Sequence, residues 1–172
     1  MTAVGEAYLV GRGVEPDRPE AFKWFERAAT NGDARGQVYV AEKYLSFSTN
    51  EAGQKLAFQW LQKAANQWYL QAQFLVALNC AAGIGTKKDI IESYKWAKLA
   101  ASQGSPYGVG FMKGLENHNQ ITTNQIQEAD ERLLEFINTN LYQPPNQQPP
   151  DVIDLNSLMN SIKTNSASYS GH

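Results

Sequence analysis

Three tryptophans, Trp24, Trp60 and Trp96, stand 36 residues apart in this chain, and the pairs Ala28-Ala29, Ala64-Ala65 and Ala100-Ala101 keep the same spacing. Each set lies in a similar nine-residue phrase, clearest in Ala57-Phe58-Gln59-Trp60-Leu61-Gln62-Lys63-Ala64-Ala65. A fixed period in this range marks an array of stacked units, none of which can bury its apolar face alone. Within each phrase the apolar positions fall three and four apart, which predicts helices with one buried face. A second row repeats upstream of each phrase: Val4, Gly5 and Tyr8, then Val40, Ala41 and Tyr44, then Val76, Ala77 and Cys80. A branched residue, a small one and a larger one make a packing stripe, the small residue letting a neighbouring helix approach closely. The unit is therefore a pair of helices, and the class is all-α.

The punctuation between helices repeats as well. Gly11-Arg12-Gly13 has an equivalent in Gly83-Ile84-Gly85. Neither follows a strand nor ends in Lys-Ser/Thr, so a turn between antiparallel helices fits better than a phosphate-binding loop. Asp17 with Glu20, and Asp89 with Glu92, predict capped starts to the second helices. The middle unit has Gly53 and Leu56 at those places, which predicts a weaker start. Asn31-Gly32 and Gln103-Gly104 predict left-handed glycine stops, whereas the middle unit puts Trp68 there. Tryptophan is poorly suited to that backbone shape, so Asn66 is the candidate cap. Trp68 is then either packed over the loop or an exposed aromatic anchor for a partner.

Pro106 to Leu115 reads as a further first helix weakened by Gly108, Gly110 and Gly114. Thr122 with Gln125 forms a capping box for a last helix, with Ile121 stapled to Ile126. Its apolar face is Ile126, Ala129, Leu133, Phe136 and Ile137, while Asp130, Glu131 and Arg132 are expected to face water. From Gln143 the composition turns to proline and glutamine, which predicts an extended, disordered tail over 143–172. Residues 151–163 carry the pattern of a short amphipathic helix that either frays or docks.

The combined pattern, Val-Ala-x-x-Tyr, Gly-x-Gly and Asp-x-x-x-Ala-x-x-Trp-x-x-x-Ala-Ala-x-x-Gly, resembles the Sel-one-like repeat, a relative of the tetratricopeptide repeat. The resemblance spans about residues 1–137. It implies a right-handed superhelical solenoid of antiparallel helix pairs with repeats at 1–33, 34–69 and 70–105. A partial repeat and capping helix follow at 106–142. It also implies a scaffold or adaptor role in a family widespread in bacteria. Some bacterial members bridge the two helices of a repeat with paired cysteines, a pattern the single Cys80 does not match.

In such stacks the first helices line a concave groove. Relative to the packing row, this places Val38, Glu42, Arg35 and Leu45 on that side, with Gln71, Phe74 and Leu78 one repeat later and Glu6 and Leu9 one repeat earlier. An apolar stripe with a few charges suits a helix or extended peptide, although some of these apolar residues also have the option of packing on the next repeat.

Other functions find little support in the residues. Fifteen basic and seventeen acidic side chains give no electrostatic footprint for nucleic acid. No apolar run nears the roughly 18 residues needed to cross a bilayer, and no leader is evident, so the default compartment is cytoplasmic, with secretion or delivery to a host cell left open. Two histidines, His118 and His172, and one cysteine supply neither a metal set nor a nucleophile with its base. No enzyme, cofactor or metal is expected. Met1 falls inside the first helix on this register, which supports an alternative role as the end of a longer array that stacks or self-associates through its open N-terminal face.

Overall fold

The computed structural model describes residues 1–47 and 50–140, and all regular structure in them is α-helical. The expected tail over 143–172, with its helix at 151–163, lies outside the described residues. The helices are α1 Thr2–Val10, α2 Arg18–Thr30, α3 Ala34–Phe47, α4 Glu51–Asn66, α5 Leu70–Ala82, α6 Ile90–Ser102, α7 Pro106–Asn117 and α8 Thr123–Asn140. Two compact units divide them. The first comprises Met1–Ala72 with Ile84–Thr86; the second comprises Gln73–Gly83 and the chain from Lys87 onward.

In the first unit α2 buries Ala21, Phe25 and Ala29 together with Val40 of α3, and Leu9 of α1 packs on the same cluster. Ala28 and Gly36 show why the small residues are needed. A Cβ built on Gly36 would come within 2.7 Å of the Ala28 Cβ and 2.9 Å of the Ala29 nitrogen. Any larger residue would force α2 and α3 apart. Gly85 meets α4 in a similar way, since a Cβ there would lie 2.2 Å from the Gln54 carbonyl oxygen. The Gly-x-Gly stretches are turns, with all four glycines at positive φ.

The middle second helix starts differently from the expectation. Helix α4 begins one turn early, at Glu51, and Asn50 caps it by accepting from the Gly53 amide at 2.8 Å. Gly53 is thus a buried residue of the first turn and not a failed cap. Its counterparts behave as expected. Asp17 accepts from the Glu20 amide at 2.9 Å, and Asp89 from the amides of Ile91 and Glu92.

The end of α4 supplies a second correction. Helix α4 stops at Asn66 with Gln67 as its C-cap, and Trp68 takes φ +64, the conformation that Gly32 (+87) and Gly104 (+85) adopt 36 residues to either side. Tryptophan does fill the glycine position. Its ring is buried, at 9% exposure, so packing offsets the strain and the side chain is not an exposed anchor.

In the second unit α6 is the most enclosed helix, with Tyr94, Trp96, Ala97, Leu99 and Ala100 buried. Helix α8 lays Ala129, Leu133 and Ile137 into the core, and the Phe136 ring meets Trp96 edge-on at 4.9 Å. The capping box forms in both directions, from the Thr122 amide to Gln125 Oε1 at 2.9 Å and from the Gln125 amide to Thr122 Oγ1 at 3.4 Å. Asp130 does not face water as its sequence neighbours indicated. It is 1% exposed and receives Lys98 Nζ at 2.5 Å. Packing of α8 against α6, which brings Lys98 to Asp130, sets that placement.

A glutamine amide pair, half-buried in the first unit and buried in the second, recurs at the repeat spacing and is not among the sequence-derived expectations. Gln67 Nε2 donates to Gln37 Oε1 at 2.9 Å within the first unit, and Gln103 Nε2 donates to Gln73 Oε1 within the second. The signal was present as two glutamine pairs 36 residues apart. Polar residues in a packing row are easily read as solvent-facing.

Candidate partner-binding surface

Helix α3 presents Arg35, Val38, Tyr39 and Glu42 at helical spacing, a single stripe along one side. Together with Tyr69 and Gln71 at the start of α5, they line an open cavity of about 310 Å3 in the first unit. Glu6 of α1 stands beside it, paired to Arg35 at 2.8 Å and accepting from the Tyr39 hydroxyl at 3.1 Å. Of the sequence-derived candidates, the structure brings together Glu6, Arg35, Val38, Glu42 and Gln71. Val38 forms part of the wall but is only 3% exposed, so it offers a partner little surface.

A second cavity, of about 230 Å3, lies along the same helix and is lined by Leu9, Arg18, Phe22, Phe25, Tyr39, Glu42, Lys43, Ser46 and Phe47. Leu9 belongs to it, whereas Leu45 is partly buried and lines neither cavity. Phe47 is 74% exposed, with its ring edge-on to Phe22. Phe74 and Leu78 belong to the second unit, where Phe74 contacts the rings of Tyr107 and Phe111.

Tyr39 and Tyr69 are the lining residues that sequence reasoning missed. Neither recurs as an aromatic residue 36 positions away, so the repeat did not flag them. The available signal was local, Tyr39 lying one turn from both Arg35 and Glu42. Phe25 stacks on Tyr39 with centroids 4.0 Å apart and fixes that ring. Burial pushes the Tyr39 hydroxyl above its ordinary range, and the nearby Glu6 carboxylate adds to it. Burial likewise raises Tyr69 and Glu42. Both tyrosines are therefore neutral donors at physiological pH.

Among the described residues no group of His, Cys, Asp and Glu could hold a metal ion. Cys80 is 2% exposed and its thiol is pushed up to about 12, chiefly by burial, so it stays protonated and unreactive. No helix of the described residues is long and apolar enough to cross a membrane.

Comparison with known families decides the lineage. The profile of the Sel1 repeat matches residues 1–33, 51–67 and 70–105, together half of the chain. The chain belongs to the Sel1 repeat family. Among solved structures, a Sel1 repeat protein from Oxalobacter formigenes is similar at 27% identity and a TM-score of 0.60, over 66% of this chain and 85% of that one. A protective antigen present in uropathogenic Escherichia coli strains, displaying an SLR fold, matches at 21% identity and a TM-score of 0.63. That likeness covers 98% of this chain and 36% of the antigen, so this chain spans about a third of its length and shares its fold. No curated protein matches. Sel1 repeats typically mediate protein–protein interaction, and the family is one of repeat scaffolds without catalytic function.

Proposed function

We propose that this Sel1 repeat chain is an interaction scaffold that takes a partner peptide or helix along its first helices. The observation that carries the reading is the cavity beside α3. It combines aromatic walls, one ion pair and open polar groups on a single helix stripe, the mixture that recognises a segment of another protein and sets its register. Glu6, Arg35, Val38, Glu42 and Gln71 form the core of the site, with Leu9 beside them. Leu45 is its proposed extension, and Phe74 and Leu78 are proposed as partner-binding residues of the second unit by itself. A cross-linked pull-down with wild type, Arg35→Glu, Tyr69→Ala and the control Lys55→Glu tests this, after native helical content is checked for each. Partners captured by wild type and Lys55→Glu but lost from the other two support the site. Partners retained equally by all four place recognition elsewhere.

A second reading, self-association through α1, has its own observation. Val40 is 2% exposed because Ala21, Phe25 and Ala29 of α2 cover it. Its counterpart Val4 is 39% exposed, with Val10 at 63% on the same short helix and Met1 at 59% just before it. Apolar residues exposed together on one short helix are a surface that a partner ordinarily covers. Sedimentation over a concentration series distinguishes the readings: a dimer abolished by Val4→Glu favours stacking, and a monomer at all concentrations removes it.

A further inference from the structure

The cavity beside α3 contains one carboxylate that the described residues leave without a cation. Among the described residues, Glu6 is paired with Arg35, Glu26 with Lys43 at 2.6 Å and Glu20 with Lys23 at 2.8 Å. Glu42 has no ion pair, although it is partly buried and lines both cavities on α3. Its one hydrogen bond is a long one, from Gln71 Nε2 at 3.3 Å. Two cations of this surface are already engaged, Arg35 by Glu6 and Lys43 by Glu26, and Arg18, which lines the second cavity, makes no ion pair with Glu42.

The geometry points to Glu42 as the seat of an arginine or lysine side chain of the partner, its cation entering the cavity walled by Tyr39 and Tyr69. This rests on the groove reading above and names the chemistry it recognises. Three features fit such a cation. At the cavity walled by Tyr39 and Tyr69, Arg35 is neutralised by Glu6 beside it and Glu42 adds one negative charge, which favours a cation over a carboxylate there; Arg18 and Lys43 line the neighbouring cavity. Two aromatic side chains line the cavity beside a carboxylate, the type of wall against which guanidinium and ammonium groups settle, although Phe25 already covers one face of Tyr39. The Gln71 side-chain oxygen accepts no hydrogen bond from Glu42 and remains for a donor of the guest. Burial without a compensating charge raises the Glu42 carboxyl, and a bound cation removes that penalty.

The test uses three capped tripeptides, acetyl-Leu-Arg-Leu-amide and its citrulline and glutamate counterparts. They are titrated into isotopically labelled full-length chain and followed by NMR. Citrulline keeps the shape and hydrogen bonding of arginine without its charge. The arginine peptide is expected to shift the resonances of Tyr39, Glu42, Tyr69 and Gln71 and to bind about tenfold tighter than the citrulline peptide. It should also lower the midpoint of the Glu42 carboxyl titration. Glu42→Gln, which keeps the side-chain size, should erase the preference for arginine over citrulline. If arginine and citrulline peptides bind this cavity equally, the cation assignment fails while the groove reading survives. If no peptide perturbs these four residues, both fail.

Discussion

Trp68 shows how a single side chain can hold a backbone in a shape it does not favour. Only glycine takes the left-handed region freely, and a residue with a Cβ loses roughly 1–2 kcal/mol there. The ring recovers this by burial, where removing a large aromatic side chain costs about 3–5 kcal/mol. Trp68→Gly should therefore destabilise the protein by about 2 kcal/mol net despite relaxing the backbone, measured by urea unfolding. A stabilised variant would mean that the ring contributes less than the strain. Sequence reading recognised the anomaly at this position but not its resolution, because φ preference is local and the compensating burial is tertiary. The same division applies to Glu42 and Tyr39. Their helical spacing was readable, whereas the absence of a counter-ion for Glu42 emerged only once Arg35 and Lys43 were seen to be engaged elsewhere.

At the scale of elements, helix starts were legible where capping chemistry is written in adjacent residues. Asp17, Asp89 and the Thr122–Gln125 box form as the sequence indicates. Asn50 was not recognised because the repeat register directed attention to Gly53, three residues on. Asp89 yields a pH prediction. Burial alone would raise its carboxyl, but hydrogen bonds from the Glu92 amide and Arg132, with the Arg132 charge, outweigh that and hold it below the ordinary carboxylate value. A depressed folded value means that the cap stabilises above the unfolded pKa of ~3.9 and loses this contribution as pH falls through the folded value. Asp89→Ala should lower stability by about 1 kcal/mol at neutral pH and by progressively less below pH ~4. Equal loss at pH 7 and pH 2.5 in denaturant titrations would contradict the cap assignment. The Lys98–Asp130 bridge between α6 and α8 behaves oppositely. Burial raises Asp130 despite the lysine, and its Oδ2 is buried without a hydrogen bond. Breaking such a pair is costlier than replacing it. Asp130→Leu alone should cost about 3–5 kcal/mol, whereas Lys98→Met/Asp130→Leu should recover most of the loss. A double variant as unstable as the single would show that the bridge itself, not the stranded charge, carries the effect.

At the scale of the molecule, one 36-residue period organises the tryptophans, the helix stops, the close-packed Gly36 and the paired glutamines. That period made the all-helical class and the Sel1 kinship readable before any coordinates, because a repeat must satisfy the same packing contacts again and again. Binding has no such redundancy. Tyr39 and Tyr69 break the period, as residues serving the proposed partner site are free to do. The most direct measurement is therefore site-specific photo-crosslinking in source lysate, with a benzophenone amino acid at exposed Gln71 and, as control, at exposed Lys55. The account predicts a discrete cross-linked partner from position 71, lost on Arg35→Glu, and none from position 55. Equal cross-linking from both positions, or from 55 alone, would contradict the proposal that the α3 surface is where this scaffold meets its partner.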